Sequence, residues 1–251
     1  MQYYGLLGKT LKHSFSQAYF TQKFEHENIH ASYVNIELPE IQLMRSYIAE
    51  NHIQGFNVTI PYKQSIIPYL DYCHSNIVQI GAVNAVKAVH NSNKLLLIGY
   101  NTDVAGFRDT LTPHLQKQHT QALIFGNGGA SLAVAYVLKN LGIAYTFVNR
   151  TIKADCLTYE EVNEEHIFSH KLLINTTPVG QYPKPDECVP IPYQSIGSEH
   201  LVYDLVYNPS PTLFLQKAHN QGATVEDGLA MLHRQAEVAW QIFSGDADLN
   251  F

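Results

Sequence analysis

The sequence predicts an α/β protein containing a parallel sheet with both faces covered. Two observations carry this. Strand-like and helix-like segments alternate along the chain, and one apolar strand passes straight into a glycine-rich turn that opens a helix. The 251 residues allow one large domain or two small ones, at roughly 150 residues per domain.

The elements follow in order. Tyr3 to Leu7 is a short apolar strand ending at Gly8, and Tyr33 to Leu38 alternates as a half-buried strand does. Between them, Ser16 to Asn28 has helical spacing with Phe20 and Phe24 as its apolar pair. Gln42 to Asn51 is a second helix, Gly55 to Ile60 a strand, and Pro61 opens a third helical segment, since proline suits a first helical turn. A hairpin-like stretch, Ala85 to Ile98, is broken by Asn91-Ser92-Asn93. A helix is expected from Thr102, then the strand Gln121 to Phe125, a small-residue helix to Leu141, and strands Ala144 to Asn149, Leu172 to Asn175, Leu201 to Val206 and Ala223 to Glu226. Strands joined by such crossovers form a parallel sheet. A long amphipathic helix, Gly228 to Phe243, ends the pattern, and no internal repeat interrupts it.

Composition excludes several function classes. Lys and Arg number 16 against 22 Asp and Glu, a net charge of −6, and no basic run supplies the cation cluster that nucleic acid requires. No apolar stretch approaches the roughly 18 residues of a membrane span, and the first residues carry no secretory pattern. Cys73, Cys156 and Cys188 are too few and scattered for a disulfide framework or a zinc site, so a reducing cytoplasm is expected. Charged residues are only 15%, below the roughly 25% usual for soluble proteins; 13 His and 16 Tyr help to supply the polarity instead.

Gly126-Asn127-Gly128-Gly129-Ala130-Ser131 stands where a dinucleotide fingerprint belongs. Gly126 permits the tight turn, Gly128 lets a pyrophosphate approach the backbone, and small Ser131 lets helix and strand pack closely. The helix start then offers unpaired amides to the phosphates; a plain strand-to-helix turn is the alternative. An NAD site places a carboxylate about 20 residues further on, at the end of the next strand, to bind the ribose 2′-hydroxyl. Here that strand ends in Asn149-Arg150-Thr151-Ile152-Lys153. Arg150 can fork onto a 2′-phosphate, Thr151 can donate and Lys153 adds charge, which favours NADP over NAD.

Four polar clusters lie at strand ends in the first part: Ser14-Phe15-Ser16, Asn57 to Lys63, Gly81-Ala82-Val83-Asn84, and Gly99 to Asp103. Each alone has a structural account: Ser16 or Thr102 as a helix cap, Asn84 as a turn residue, Asn57 bonded to backbone. Lys63 is different, because it falls in the expected first helical turn after Pro61, where its charge opposes the helix dipole. Asp103 begins another helix, where the same dipole favours a carboxylate. Together with the neighbouring hydroxyls and amides, the pair suits a polyhydroxylated anion.

In this combination the chain resembles the shikimate dehydrogenases, NADP-dependent enzymes of aromatic amino-acid and chorismate biosynthesis. The resemblance rests on Ser14 and Ser16, Asn-Val-Thr-x-Pro-x-Lys at 57 to 63, Gly81-Ala82-Val83-Asn84, Asn101-Thr102-Asp103 with Gly106, and Gly126-x-Gly128-Gly129-Ala130. It continues through Asn149-Arg150-Thr151, Asn175-Thr176-Thr177-Pro178-x-Gly180, Asp204-Leu205-Val206-Tyr207-Asn208-Pro209, and Gly228-Leu229-x-Met231-Leu232 with Gln235. It implies reversible reduction of 3-dehydroshikimate by NADPH, with Lys63 and Asp103 as the catalytic pair. Both would also touch substrate, together with Ser14, Ser16, Asn57, Thr59, Asn84, Tyr207 and Gln235. Gly126, Asn127, Gly128, Gly129, Ala130, Asn149, Arg150, Thr151, Lys153, Leu205 and Gly228 would line the NADP site.

The resemblance also implies two lobes: a substrate-binding α/β domain of residues 1–102 completed by 229–251, and a Rossmann-type doubly wound NADP domain of residues 103–228. The last helix would return to the first lobe, and the chain would act as a monomer or homodimer on a small molecule, with no nucleic acid, membrane or metal involved. Ala85 and Gln181 depart from the usual threonine and methionine, and Ser75 stands where some members place a carboxylate. Gln235 has Met231, Val238 and Ile242 on its helix face, so its amide is expected to be buried and to need a partner, either substrate or backbone. The alternatives are a quinate or dual shikimate/quinate dehydrogenase, a non-catalytic NADP-binding regulator on the same fold, and a folate-type dehydrogenase of related architecture.

Overall fold

The structure is a computed structural model and describes residues 1–11, 15–91, 94–152 and 155–245. The chain forms two compact units: Met1–Thr102 together with the chain from Ala236 onward, and Asp103–Gln235.

The first unit contains β1 (Gln2–Gly8), α1 (Phe15–His26), β2 (Ala31–Glu37), α2 (Met44–Glu50), β3 (Ile53–Val58), α3 (Tyr62–Ser65), β4 (Tyr72–Cys73), α4 (Ile77–Ile80), β5 (Ala85–Asn91) and β6 (Lys94–Tyr100). Its six-stranded sheet runs β2-β1-β3-β5-β6-β4. β1 pairs in parallel with β2 and β3, whereas the expected hairpin is the antiparallel pair β5 and β6, extended to Tyr100. The helix expected from Gln42 begins instead as a 3-10 turn, Ile41–Leu43, ahead of α2.

The second unit contains α5 (Asp103–Leu111), β7 (Gln121–Phe125), α6 (Gly129–Asn140), β8 (Ala144–Asn149), β9 (Cys156–Thr158), α7 (Glu164–Ser169), β10 (Leu172–Asn175), β11 (Leu201–Asp204), α8 (Leu213–Asn220), β12 (Thr224–Glu226) and the first part of α9 (Leu229–Ser244). Its sheet is parallel throughout, in the order β12-β11-β10-β7-β8-β9. Every residue of β10 and β11 is buried, and successive side chains of a strand point to opposite faces, so both faces of the sheet are covered. Leu123, Phe125, Leu173, Val202 and Phe214 lie in one core cluster there.

The division between units falls inside α9, at Gln235 and Ala236. Before it, Arg234 pairs with Asp109 of α5 at 2.8 Å, and a methyl group built on Gly106 of α5 would stand 3.0 Å from the Gln235 Cβ. After it, the Trp240 ring packs 5.2 Å from Tyr4 of β1 and 4.9 Å from Phe24 of α1. The second part of the helix thus belongs to the first unit, and the division falls at 235/236 rather than at the expected 228/229, because the start of the helix packs on α5. Among the described residues no helix is long and apolar enough to cross a membrane, and no group of three or more His, Cys, Asp and Glu could hold a metal ion.

Candidate active site

In the first unit, main-chain bonds bring three of the four polar clusters together. Thr59 N donates to Leu7 O at 2.9 Å and Val58 N to Asn84 O at 2.8 Å, so the end of β3 is tied both to β1 and to the Gly81–Asn84 turn. Val83 N donates to Lys63 O at 2.7 Å, Asn84 N to Tyr100 O at 3.0 Å, and Asn101 Nδ2 to Ala82 O at 2.9 Å. Asn84 is more than a turn residue: its Oδ1 accepts from Thr102 N at 2.6 Å and its Nδ2 donates to the Thr102 hydroxyl at 3.0 Å. Asn57 and Asn84 are buried, while Ser16, Thr59 and Lys63 are half-buried. Ser14 lies outside the described residues.

One expectation is corrected. α3 is a single turn of four residues, Tyr62–Ser65, and so few aligned peptides make no useful macrodipole. Lys63 is therefore not a charge placed against a helix field. What distinguishes it is its main-chain tie to the segment that ends in Asn84. Asp103 does open a true helix, the nine-residue α5, and is buried there at 6% exposure.

Tyr33 and Asp204 are not singled out by the sequence, yet Tyr33 bonds Asn57, a residue expected at the site, and Asp204 ties the ends of β10 and β11. Tyr33 is buried and donates to Asn57 Oδ1 at 2.8 Å. A tyrosine on the inner face of a half-buried strand needs a partner for its hydroxyl, and that was the signal available.

In the second unit the glycine turn has the form a pyrophosphate cradle requires. Gly126 has φ +101°, and a Cβ there would meet Thr176 Oγ1 and Thr177 Cγ2 at 2.8 Å. At Gly128 a Cβ would meet nothing within 4 Å, so the backbone stays open to an approaching group. No side chain caps the start of α6, and buried Ser131 turns its hydroxyl back to Gly128 O at 2.6 Å. Asn149 at the end of β8 is buried and its Nδ2 has no partner among the described residues, while Arg150 and Thr151 beyond it are exposed. The residues present fit an NADP cofactor. Asn127 in the loop is exposed, and Lys153 lies outside the described residues.

The other strand ends of this sheet are held by a second network. Asp204, at the end of β11, accepts from Asn175 Nδ2 at 2.9 Å, Val206 N at 3.0 Å and the Thr212 hydroxyl at 2.6 Å. Burial outweighs these three donors and pushes its carboxyl up to about 6. Asn175 Oδ1 in turn holds Thr177, through its N–H at 3.0 Å and its hydroxyl at 2.6 Å. Leu205 and Tyr207 follow Asp204 and are half-buried, and Gln235 is buried with its Nε2 donating to Leu232 O at 2.9 Å, so a backbone bond does take up part of that amide.

Gly228 approaches the Leu205 backbone so closely that a Cβ would lie 2.1 Å from Leu205 O. Because the obstacle is main chain, Gly228→Ala is expected to cost about 2 kcal/mol or more of stability, as overpacking does, and to weaken NADPH binding with it. Urea denaturation checks this. A wild-type midpoint would mean that the two segments part freely.

Comparison with known proteins gives the family. The model of the shikimate dehydrogenase substrate binding domain matches residues 6–86. The shikimate dehydrogenase (NADP+) of Caldanaerobacter subterraneus subsp. tengcongensis is 35% identical over 263 residues, covering 97% of this chain and 91% of that protein. Its counterpart from Clostridium beijerinckii is 36% identical over 257 residues, covering 96% and 92%. Among solved structures, the shikimate 5-dehydrogenase of Thermus thermophilus, in complex with NADP(H) and shikimate, superposes with a TM-score of 0.84 at 31% identity, covering 98% of this chain and 94% of that one. Identity at this level along nearly the full length of both partners, on the same fold, means that this chain belongs to the shikimate dehydrogenase (NADP+) family.

Proposed function

We propose that the chain reduces 3-dehydroshikimate to shikimate, reversibly, with NADPH, and that Lys63 and Asp103 carry the chemistry. The observation that supports this most directly is the tying of Asn57, Lys63, Asn84 and Thr102 into one hydrogen-bonded arrangement. Its amides and hydroxyls suit a polyhydroxylated ring.

When bound, the dihydronicotinamide supplies the hydride. Lys63, as ammonium, gives a hydrogen bond or proton to the ketone oxygen as it becomes an alkoxide. Asp103 accepts from the neighbouring substrate hydroxyl. Ser14, Ser16, Asn57, Thr59, Asn84, Tyr207 and Gln235 hold the substrate carboxylate and remaining hydroxyls. Residues 1–102 and 229–251 serve mainly the substrate and residues 103–228 the cofactor. Gly126 to Ala130 cradle the pyrophosphate, with Leu205 and Gly228 beside the cofactor. Asn149, Arg150, Thr151 and Lys153 would bind its adenosine end.

The chain is expected to work in the cytoplasm as a monomer or homodimer, in keeping with its three unpaired cysteines. A spectrophotometric assay crossing shikimate and quinate with NADP and NAD tests the reading. Fastest turnover is expected for shikimate with NADP. Preference for quinate would reassign the substrate, and no turnover of either would favour a non-catalytic regulator.

Arg150→Asp tests cofactor choice separately. Losing a charge-assisted bond and adding a repelling carboxylate should weaken NADPH about 10- to 100-fold, while NADH is little affected. Equal losses for both cofactors would show that Arg150 does not read the 2′-phosphate.

A further inference from the structure

We propose that Tyr33 is a positioning residue of the substrate site, fixing the amide of Asn57 so that its NH2 end is the one offered to substrate. The inference rests on the reading above that Asn57 touches substrate. Tyr33 lies on β2 with 3% exposure, and its ring stacks on Phe20 at 4.5 Å with planes 15° apart. A ring held in this way leaves its hydroxyl little choice of position.

Two partners fix the amide. Asn57 Nδ2 lies 3.4 Å from Asn84 O, and that carbonyl is itself held by Val58 N at 2.8 Å. Turning the amide over would set Oδ1 against this carbonyl, and two acceptors repel. With Nδ2 on that side, Oδ1 faces Tyr33, and the one hydrogen of the Tyr33 hydroxyl is donated to it at 2.8 Å. Burial pushes Tyr33 ionisation well above the ordinary phenol range, so it remains a donor at every pH at which the protein is assayed. The second hydrogen of Nδ2 is then directed toward an acceptor oxygen, which selects a substrate hydroxyl or carbonyl oxygen at that point.

Tyr33→Phe removes one oxygen and keeps the stacked ring. The expected result is a rise of about tenfold in KM for shikimate, the equivalent of one lost hydrogen bond, with kcat changed less than about threefold and NADPH affinity unaltered. In an Asn57→Ala background most of that effect should vanish, because Tyr33 would have nothing left to orient. A normal KM in Tyr33→Phe, or an equal and additive effect in the Asn57→Ala background, overturns the proposal. If Tyr33 were merely structural, the variant would melt earlier but keep its KM at temperatures where it is folded. Failure of the wild-type enzyme to turn over shikimate would instead count against the functional reading.

Discussion

Lys63→Ala is expected to lower kcat at least about 100-fold while leaving the KM for shikimate nearly unchanged. A general acid contributes roughly 100- to 10,000-fold and a single positioned donor roughly 100- to 1,000-fold, so two decades is the lower bound for a residue in either role. Substrate binding should survive because the loops around Lys63 are held by main chain, with Val83 N on Lys63 O at 2.7 Å and Val58 N on Asn84 O at 2.8 Å. Truncating the side chain leaves both bonds in place. An interaction that strengthens as charge develops on the ketone oxygen is lost from kcat, not from ground-state binding. Steady-state kinetics in both directions check this. Turnover within a few-fold of wild type would remove Lys63 from the chemistry, whereas a large rise in KM at constant kcat would make it a binding residue only.

Asp204→Asn is expected to change the pH dependence of stability by about 3 kcal/mol. The carboxyl is pushed up to about 6 from an ordinary 3.8, because its burial costs more than the bonds from Asn175, Val206 and Thr212 return. A carboxyl with a raised folded pKa binds its proton more tightly in the folded chain than in the unfolded one. Its favourable contribution is complete below the unfolded value and is lost as pH rises through about 6. The difference of roughly two pKa units corresponds to about 3 kcal/mol. Between about pH 4 and pH 7, wild type should therefore lose that much stability relative to Asp204→Asn, whose amide oxygen can still accept from Asn175 and Val206. Urea denaturation of both proteins across this range cancels the other carboxylates. Parallel stability curves would show that Asp204 titrates normally in the fold.

These two residues differ in how far the sequence exposed them. Lys63 was legible because a lysine after Asn-Val-Thr-Ile-Pro-Tyr is a local pattern, although the helix-field argument for it does not survive a four-residue α3. Asp204 was legible only as part of a motif. Nothing nearby in the chain indicates that its carboxylate is fully buried, because one partner, Asn175, lies 29 positions earlier and another, Thr212, 8 positions later. The same contrast holds for elements. Gln121–Phe125 and Leu172–Asn175 fall where their apolar runs predict. α4, β9, α7 and α8 were not anticipated: α4 and β9 are too short to develop a period, and α7 and α8 are set by caps, Asn163 on His166 N and Thr212 on Leu215 N.

The sequence by itself determined the alternation of elements, the glycine turn after β7, the cationic end of β8 and the identities of the groups proposed to meet substrate and cofactor. Each of these is written in residues adjacent in the chain, and local sterics and hydrogen bonding act at that range. The tertiary structure alone decided which end of the Asn57 amide meets Tyr33, why position 228 admits only glycine, and how a carboxylate comes to be buried at Asp204. Those depend on distances between segments remote in sequence: Asn57 to Tyr33 at 2.8 Å, a Cβ at 228 to Leu205 O at 2.1 Å, and Asp204 to Asn175 at 2.9 Å. Hydrogen bonds and steric contacts change sign within a fraction of an ångström, and only the packed fold sets separations to that precision.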